Sequence, residues 1–149
     1  MKTIKKLTSA AFAVVILGMS TITANAAFCT STAGYWANHP DAWCVQTIQI
    51  GCLSYTQDQA IAIMQQSTSG DMTYPLAAQL IAAKLNVNCV HSNSSCVASA
   101  ISSADAWLCQ HPVGSNVDAH SPEWKQITPT YATLVSYNEG HLCAPKCRS

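Results

Sequence analysis

Four stretches of the chain place apolar residues at the spacing of an α-helix. The first opens at Thr56-Gln57-Asp58-Gln59, a capping box in which a hydroxyl and a side-chain amide three residues on satisfy each other's backbone N–H groups. Ala60, Ile61, Ile63 and Met64 form its apolar face, and Ser67-Thr68-Ser69-Gly70 marks its end. A second helix starts near Thr73, with Pro75 in the first turn, where a missing N–H costs nothing. Leu76, Ala77, Leu80, Ile81 and Leu85 follow, and Asn86-Val87-Asn88 is expected to stop it. A third is predicted from about Ser95 to Gln110, with Val97, Ile101, Ala104 and Leu108 on one face and His111-Pro112 as terminator. A fourth is expected to open at Thr128-Pro129, as N-cap and N1 proline, to use Tyr131, Leu134 and Val135 as its face, and to close at a left-handed Gly140. Ser121-Pro122-Glu123-Trp124 reads as a short helical turn before it.

The period changes ahead of residue 56. Thr47-Ile48-Gln49-Ile50 and Leu53-Ser54-Tyr55 read as strands of a small hairpin with its turn at Gly51-Cys52. A hairpin alone is marginal in water, so it must lean on helices or on a disulfide. Residues 27–43 carry a glycine and a proline and promise little regular structure. At the N-terminus, Lys2, Lys5 and Lys6 precede an apolar run from Ala10 to Met19, and Ala24-Asn25-Ala26 ends a polar stretch. That order is a basic n-region, a hydrophobic core and a small-x-small cleavage site, the pattern of a secretory signal over residues 1–26. The run is too short to span a bilayer, so no membrane insertion is expected after cleavage. Residues 27–149 then form a single, mainly α, compact, disulfide-bonded bundle of about four helices with one small β-hairpin.

Composition sharpens the compartment. All eight cysteines, Cys29, Cys44, Cys52, Cys89, Cys96, Cys109, Cys143 and Cys147, lie beyond the leader. An even number behind an export signal reads as four disulfides. Short loops favour Cys44 with Cys52 and Cys89 with Cys96, each stabilising by about 2.5 kcal/mol in the chain-entropy treatment. Cys29 and Cys109 would then join the Cys143/Cys147 tail. Cys143 and Cys147 could alternatively supply half of a zinc site, but no second pair matches their spacing. Without its leader the chain keeps four cations, Lys84, Lys125, Lys146 and Arg148, against seven acids, a net charge of −3. With no basic patch, nucleic acid is excluded as the expected partner. The expected localisation is secreted or periplasmic.

Three segments stand together in order: Gly34-Tyr35-Trp36-x-Asn38-His39-Pro40-x-x-Trp43, then Leu76-Ala77-x-Gln79-Leu80-Ile81-Ala82-Ala83-Lys84-Leu85-Asn86, then Leu134-x-x-Tyr137-Asn138-x-Gly140. Together they resemble a domain of exported bacterial proteins, often a module beside cell-surface repeats or sorting signals. The resemblance covers nearly all of the chain beyond the leader, and the middle segment is its most specific part. Members often carry lysine where Ala37 stands, and many lack most of these cysteines, which makes the disulfides additions to the scaffold. The resemblance implies fold and compartment and assigns no activity, cofactor or catalytic residue.

Chemistry is thinly written. Tyr35, Trp36, His39 and Trp43 cluster aromatic surface with polar tips, which suits a protein or glycan partner. The plainer expectation is that both tryptophans cap the core and His39 fixes the turn before Pro40. An interaction surface would leave an aromatic patch exposed near Trp36 or Trp124. His39, His111 and His120, with Asp118 or Asp41, are the candidate metal ligands, though no two histidines sit one helical turn apart. Asp118-Ala119-His120 is the tightest acid–histidine pair. Nucleophile-elbow, zinc-protease, phosphate-loop and dinucleotide motifs are all missing, and paired cysteines cannot act as nucleophiles. Lys84 reads as a lysine snorkelling from a helix C-terminus. The expected function is therefore a secreted, non-catalytic interaction or structural module with an extracellular protein or glycan partner and no cofactor. A small metal- or ligand-binding protein using the histidines is the alternative, and a hydrolase with an unrecognised site the third.

Overall fold

The computed structural model describes residues 28–66 and 70–148. The leader over residues 1–26 and the Ser67-Thr68-Ser69 helix end lie outside the described residues. Among the described residues are five α-helices: α1 (Ala33–Asn38), α2 (Gln57–Gln65), α3 (Thr73–Cys89), α4 (Ala98–Gln110) and α5 (Pro122–Asn138). Strands β1 (Thr47–Ile50) and β2 (Leu53–Thr56) pair antiparallel, with Ile50 opposite Leu53 across the turn. The fold is mainly α, cysteine-rich and disulfide-bonded, and α3 is its centre, packing against α1, α2, α4, α5 and β1. Leu76, Ala77, Leu80, Ile81, Ala82, Ala83 and Leu85 of α3 are all fully buried. A helix apolar on most of its circumference belongs inside a fold. No helix among the described residues is long and apolar enough to cross a membrane.

The local signals hold where the chain satisfies itself locally. Thr56 and Gln59 form the reciprocal capping box of α2. Gly51 turns the hairpin at φ +62°, with the backbone of Leu108 and Cys109 directly behind it, so neither its conformation nor its packing admits a side chain. Gly140 has φ +79°; its N–H donates to Tyr137 O and that of His141 to Ser136 O, the paired bonds of a Schellman cap. A Cβ there would run into the backbone of Lys146, so the C-terminal tail folds back across this glycine.

Three boundaries differ from expectation. α1 is the fifth helix, about one turn and a half within residues 27–43, where little regular structure is expected from the sequence. Thr32 caps it by accepting from Tyr35 N at 3.2 Å, and a single 3-10 turn, Pro40–Ala42, follows. α3 does not stop at Asn86-Val87-Asn88 but runs to Cys89, because the Asn86 amide turns inward rather than back onto its own backbone. α5 starts at Pro122, with Ser121 as N-cap accepting from Trp124 N at 3.1 Å, seven residues ahead of the expected Pro129 start. Pro129 lies inside the helix, on its exposed side, where water can satisfy the carbonyl it leaves unpaired. Burial of Trp124 and Ile127 before it and of Leu134 and Tyr137 after it keeps the helix continuous through it.

The cysteine pairing is also corrected. All four disulfides are long-range: Cys29–Cys147, Cys44–Cys89, Cys52–Cys109 and Cys96–Cys143, with separations of 118, 45, 57 and 47 residues. Of the expected links, only that from Cys29 to the tail is present. Cys44 precedes β1 and Cys52 sits at the far turn. A four-residue strand at about 3.3 Å per residue puts them farther apart than the roughly 7 Å between Cα atoms that a disulfide spans. The Cys89–Cys96 loop is held at its middle, where Ser92 donates to Asn86 O from its backbone and to Cys29 O from its hydroxyl. Cys89 and Cys96 are left to face Cys44 and Cys143.

Polar ties complete the frame. Lys84 lies well inside α3, and its ammonium meets Asp105 of α4 at 2.6 Å and Gln49 O of β1 at 2.6 Å. Asp105 accepts from Gly51 N with its other oxygen, so this ion pair fastens the hairpin turn to two helices, and Lys84 does not snorkel. Asp71 is buried ahead of α3 and accepts from Thr73 N, the Thr73 hydroxyl, Asn116 N and Val117 N. Burial alone would raise its carboxyl pKa, but these four donors outweigh it and leave the group below its ordinary value of 3.8. A carboxyl with a lowered folded pKa contributes stability that is complete above its unfolded pKa and is lost as pH falls through the folded one. Asp71→Asn, which turns an amide N–H₂ toward a backbone donor, should therefore cost about 1–3 kcal/mol at pH 7. Urea melts of the variant should also show less loss of stability below about pH 4 than the parent does.

Candidate functional site

The first segment divides at α1. Trp36 points inward, is 1% exposed, and donates from Nε1 to Asn86 Oδ1 at 3.1 Å. Trp43 is 8% exposed and donates from Nε1 to Trp36 O at 3.0 Å. Neither can touch a partner. Tyr35 points outward, 40% exposed, and stacks on the His39 ring with centroids 4.1 Å apart. His39 Nδ1 lies 2.8 Å from Tyr35 O, and a carbonyl only accepts, so Nδ1 carries the proton. His39 thus fixes the end of α1, as the plainer expectation had it. Trp124 is buried as well, edge-on to Trp107, so the aromatic patch expected near Trp36 or Trp124 is not there.

The polar atoms of all three sequence segments meet at Asn86, which is fully buried. Its Oδ1 accepts from Ser31 N at 2.8 Å as well as from Trp36. Its Nδ2 donates to Ser31 O at 2.8 Å and to Asn138 Oδ1 at 3.0 Å. Asn138 Nδ2 in turn donates to Gln79 O and Gln79 Oε1, both at 2.9 Å. Trp43, Trp36, Asn86, Asn138 and Gln79 form one relay joining the N-terminal segment, α3 and α5. All four hydrogen-bonding positions of the Asn86 amide are filled from within the protein. The amide orientation is therefore set by its partners, and no lone pair or N–H of it is left for a ligand.

Tyr137, the fully buried neighbour of Asn138, has a hydroxyl that makes no hydrogen bond of good geometry. Burial raises its phenol pKa, partly offset by the Ser92 hydroxyl nearby. The group is enclosed by core side chains and does not face a cleft.

Neither a protein-family model, nor a curated protein, nor a solved structure matches the chain. The reading of the site rests on its own geometry.

The histidines do not assemble. His39 and His120 are exposed, and His111 is half-buried with its ring 4.5 Å from that of Trp107. Among the described residues no three His, Cys, Asp or Glu side chains come together in a way that could hold a metal ion. The Asp118–His120 pair is a backbone turn in which Asp118 Oδ1 accepts from His120 N at 2.7 Å. All eight cysteines are paired.

What the structure does build is a half-open groove of about 870 Å³ where residues 29–36 meet residues 145–148. Thr30 N donates to Pro145 O at 2.8 Å and Cys147 N to Thr30 O at 2.9 Å, a short parallel bridge beside the Cys29–Cys147 disulfide. Tyr35 and Trp36 line one part of the groove, and Lys146 and Arg148 the other. Of the four aromatic-segment residues singled out in the sequence, only Tyr35 thus has a solvent face on a concave surface. The contribution of Lys146 and Arg148 has no sequence signal, since it exists only once the tail has folded back over Gly140.

Replacing Asn86 by Leu leaves Ser31 N, Ser31 O, Trp36 Nε1 and Asn138 Oδ1 without partners inside the protein. At about 1–3 kcal/mol for each buried unpaired group, the variant should lose at least about 4 kcal/mol. Trp36→Phe removes one donor and leaves the other three bonds, and should cost about half as much or less. Chemical denaturation of both variants under oxidising conditions measures the difference.

Proposed function

We propose that the protein is a secreted or periplasmic, non-catalytic interaction module, a disulfide-stapled member of the exported bacterial scaffold that its three segments resemble. The observation that carries this reading is the fate of the segments' polar residues. Trp36, Gln79, Asn86 and Asn138 spend their hydrogen bonds on one another. They specify a fold and offer a reactant nothing. Export is supported by the leader pattern over residues 1–26 and by eight cysteines, all beyond it and all paired. The burial of Trp36 and Trp124 counts against a tryptophan-lined surface, so the partner, an extracellular protein, is met instead through the exposed Phe28, Tyr35 and Leu142.

The test starts from the exported protein. Its N-terminus should be Ala27, and four disulfides should make its intact mass eight hydrogens lighter than that of the reduced chain. The oxidised protein, applied to peptide and glycan arrays, should show saturable retention on peptides. Chromogenic ester, amide, glycoside and phosphoester substrates should turn over no faster than with reduced, alkylated protein. Turnover by the oxidised protein alone, or absence of retention on either array, sinks the reading.

A further inference from the structure

We propose that the groove between the chain termini binds an extended acidic peptide segment carrying apolar side chains. This rests on the interaction-module reading and names the partner chemistry for it. Beyond the leader the chain is net acidic and has four cations. Lys84 is neutralised by Asp105 at 2.6 Å, and Lys125 lies on the exposed side of α5. The remaining two, Lys146 and Arg148, both line the groove, are both exposed, and make no ion pair among the described residues. A chain that is net acidic thus places two of its three exposed, unpaired cations together along one trough, with Lys125 apart on α5. Charge of that kind selects partners and speeds their approach more than it adds affinity.

The rest of the lining completes the preference. Ala42, Val90 and the Cys29–Cys147 disulfide give it apolar surface, and Tyr35 adds an aromatic wall. No Asp, Glu, Asn, Gln or His side chain is present in the lining. A cationic ligand would find no counter-charge there. A sugar would find no side-chain amide or carboxylate to accept from its hydroxyls. An acidic peptide with apolar side chains meets both requirements, its carboxylates on the two cations and its apolar groups on the floor. On the side of Thr30 and Ser31 recognition comes through side chains, because the backbone there is already engaged. Thr30 N and O are bonded to the tail, and Ser31 N and O to Asn86, so this segment has no edge to offer for strand addition.

The probe is a capped hexapeptide alternating Glu and Leu, with Lys/Leu and Gln/Leu peptides of the same length as controls. Each is titrated into the oxidised full chain and followed by amide chemical shifts. The Glu/Leu peptide should shift Thr32, Tyr35, Val90 and Cys147, and bind more tightly than either control. Its affinity should fall several-fold as NaCl is raised from about 50 to about 500 mM. The double substitution Lys146→Gln, Arg148→Gln should weaken it about tenfold while leaving the thermal melt unchanged, since both side chains are exposed. Equal binding of the Gln/Leu peptide, shifts confined to another face, or an unaffected double variant overturns the proposal. So does tighter binding of an oligogalacturonate, which would put an acidic glycan in the groove instead. If the groove fails while array retention persists through another face, the interaction reading stands without it; if array retention is also absent, both fall.

Discussion

The fold turns on one buried side-chain amide. Asn86 sits in the last turn of the molecule's central helix, and its carboxamide joins chain segments that lie more than fifty residues away on either side. A buried amide is costly unless every one of its polar positions is met, and here all four are. That makes the network strict. A hydrophobic core tolerates shifts and exchanges of similar volume, whereas a satisfied amide accepts one register of Ser31, one rotamer of Trp36 and one approach of Asn138. The segment around Ser31 and Trp36 has only one short helix of its own, so the position of α1 on α3 is fixed by these bonds together with the buried Trp36 ring. Trp43, bonded to the carbonyl of Trp36, extends the same decision to the chain leading into the hairpin.

The disulfides act on the other side of the folding equilibrium. Each closes a loop of 45 residues or more, so each removes more freedom from the unfolded chain than either of the short loops expected from spacing would. They also fall where the amide network does not reach: the hairpin entry, the hairpin turn, the start of α4 and the two termini. Bonds around Asn86 fix the centre, and sulfur fixes the periphery. The hairpin shows the division. It is too small to be stable by itself, and it is held by Cys44–Cys89 at its base, by Cys52–Cys109 at its turn, and by the Lys84–Asp105 pair between them.

Features decided within a few residues were legible in the sequence. The capping box at Thr56, the hairpin turn at Gly51 and the left-handed cap at Gly140 are local bargains between neighbours, and each is present. The errors have a common source, a residue whose local meaning is overruled by a distant partner. Asparagine read as a helix stop because its amide competes for its own backbone; Asn86 does not, because Ser31, Trp36 and Asn138 take that amide. Proline reads as a helix start because its missing N–H is free of cost there; Pro129 is tolerated inside α5 because the buried Trp124 and Ile127 before it and Leu134 and Tyr137 after it demand helix on both sides. Cysteines close in sequence were paired on loop length, but strand rise separates Cys44 from Cys52. The groove was illegible for the same reason. Lys146 and Arg148 gain their setting from residues 29–42, across the whole length of the chain.

This arrangement separates the residues that build the fold from those that face solvent. Trp36, Gln79, Asn86 and Asn138 are consumed in one another's hydrogen bonds, and Gly140 in the cap of α5. Tyr35, in the same first segment as Trp36, faces outward. It stands on the rim of the groove, and the opposite rim is a tail held down by Cys29–Cys147 and Cys96–Cys143. In a reducing compartment the tail would be held only by non-covalent ties such as the short Thr30 bridge, the cap at Gly140 and the buried Ala144. The cysteines therefore do two jobs with one chemistry. They stabilise a small domain, and they hold two basic residues, Lys146 and Arg148, in a fixed position opposite residues 29–36.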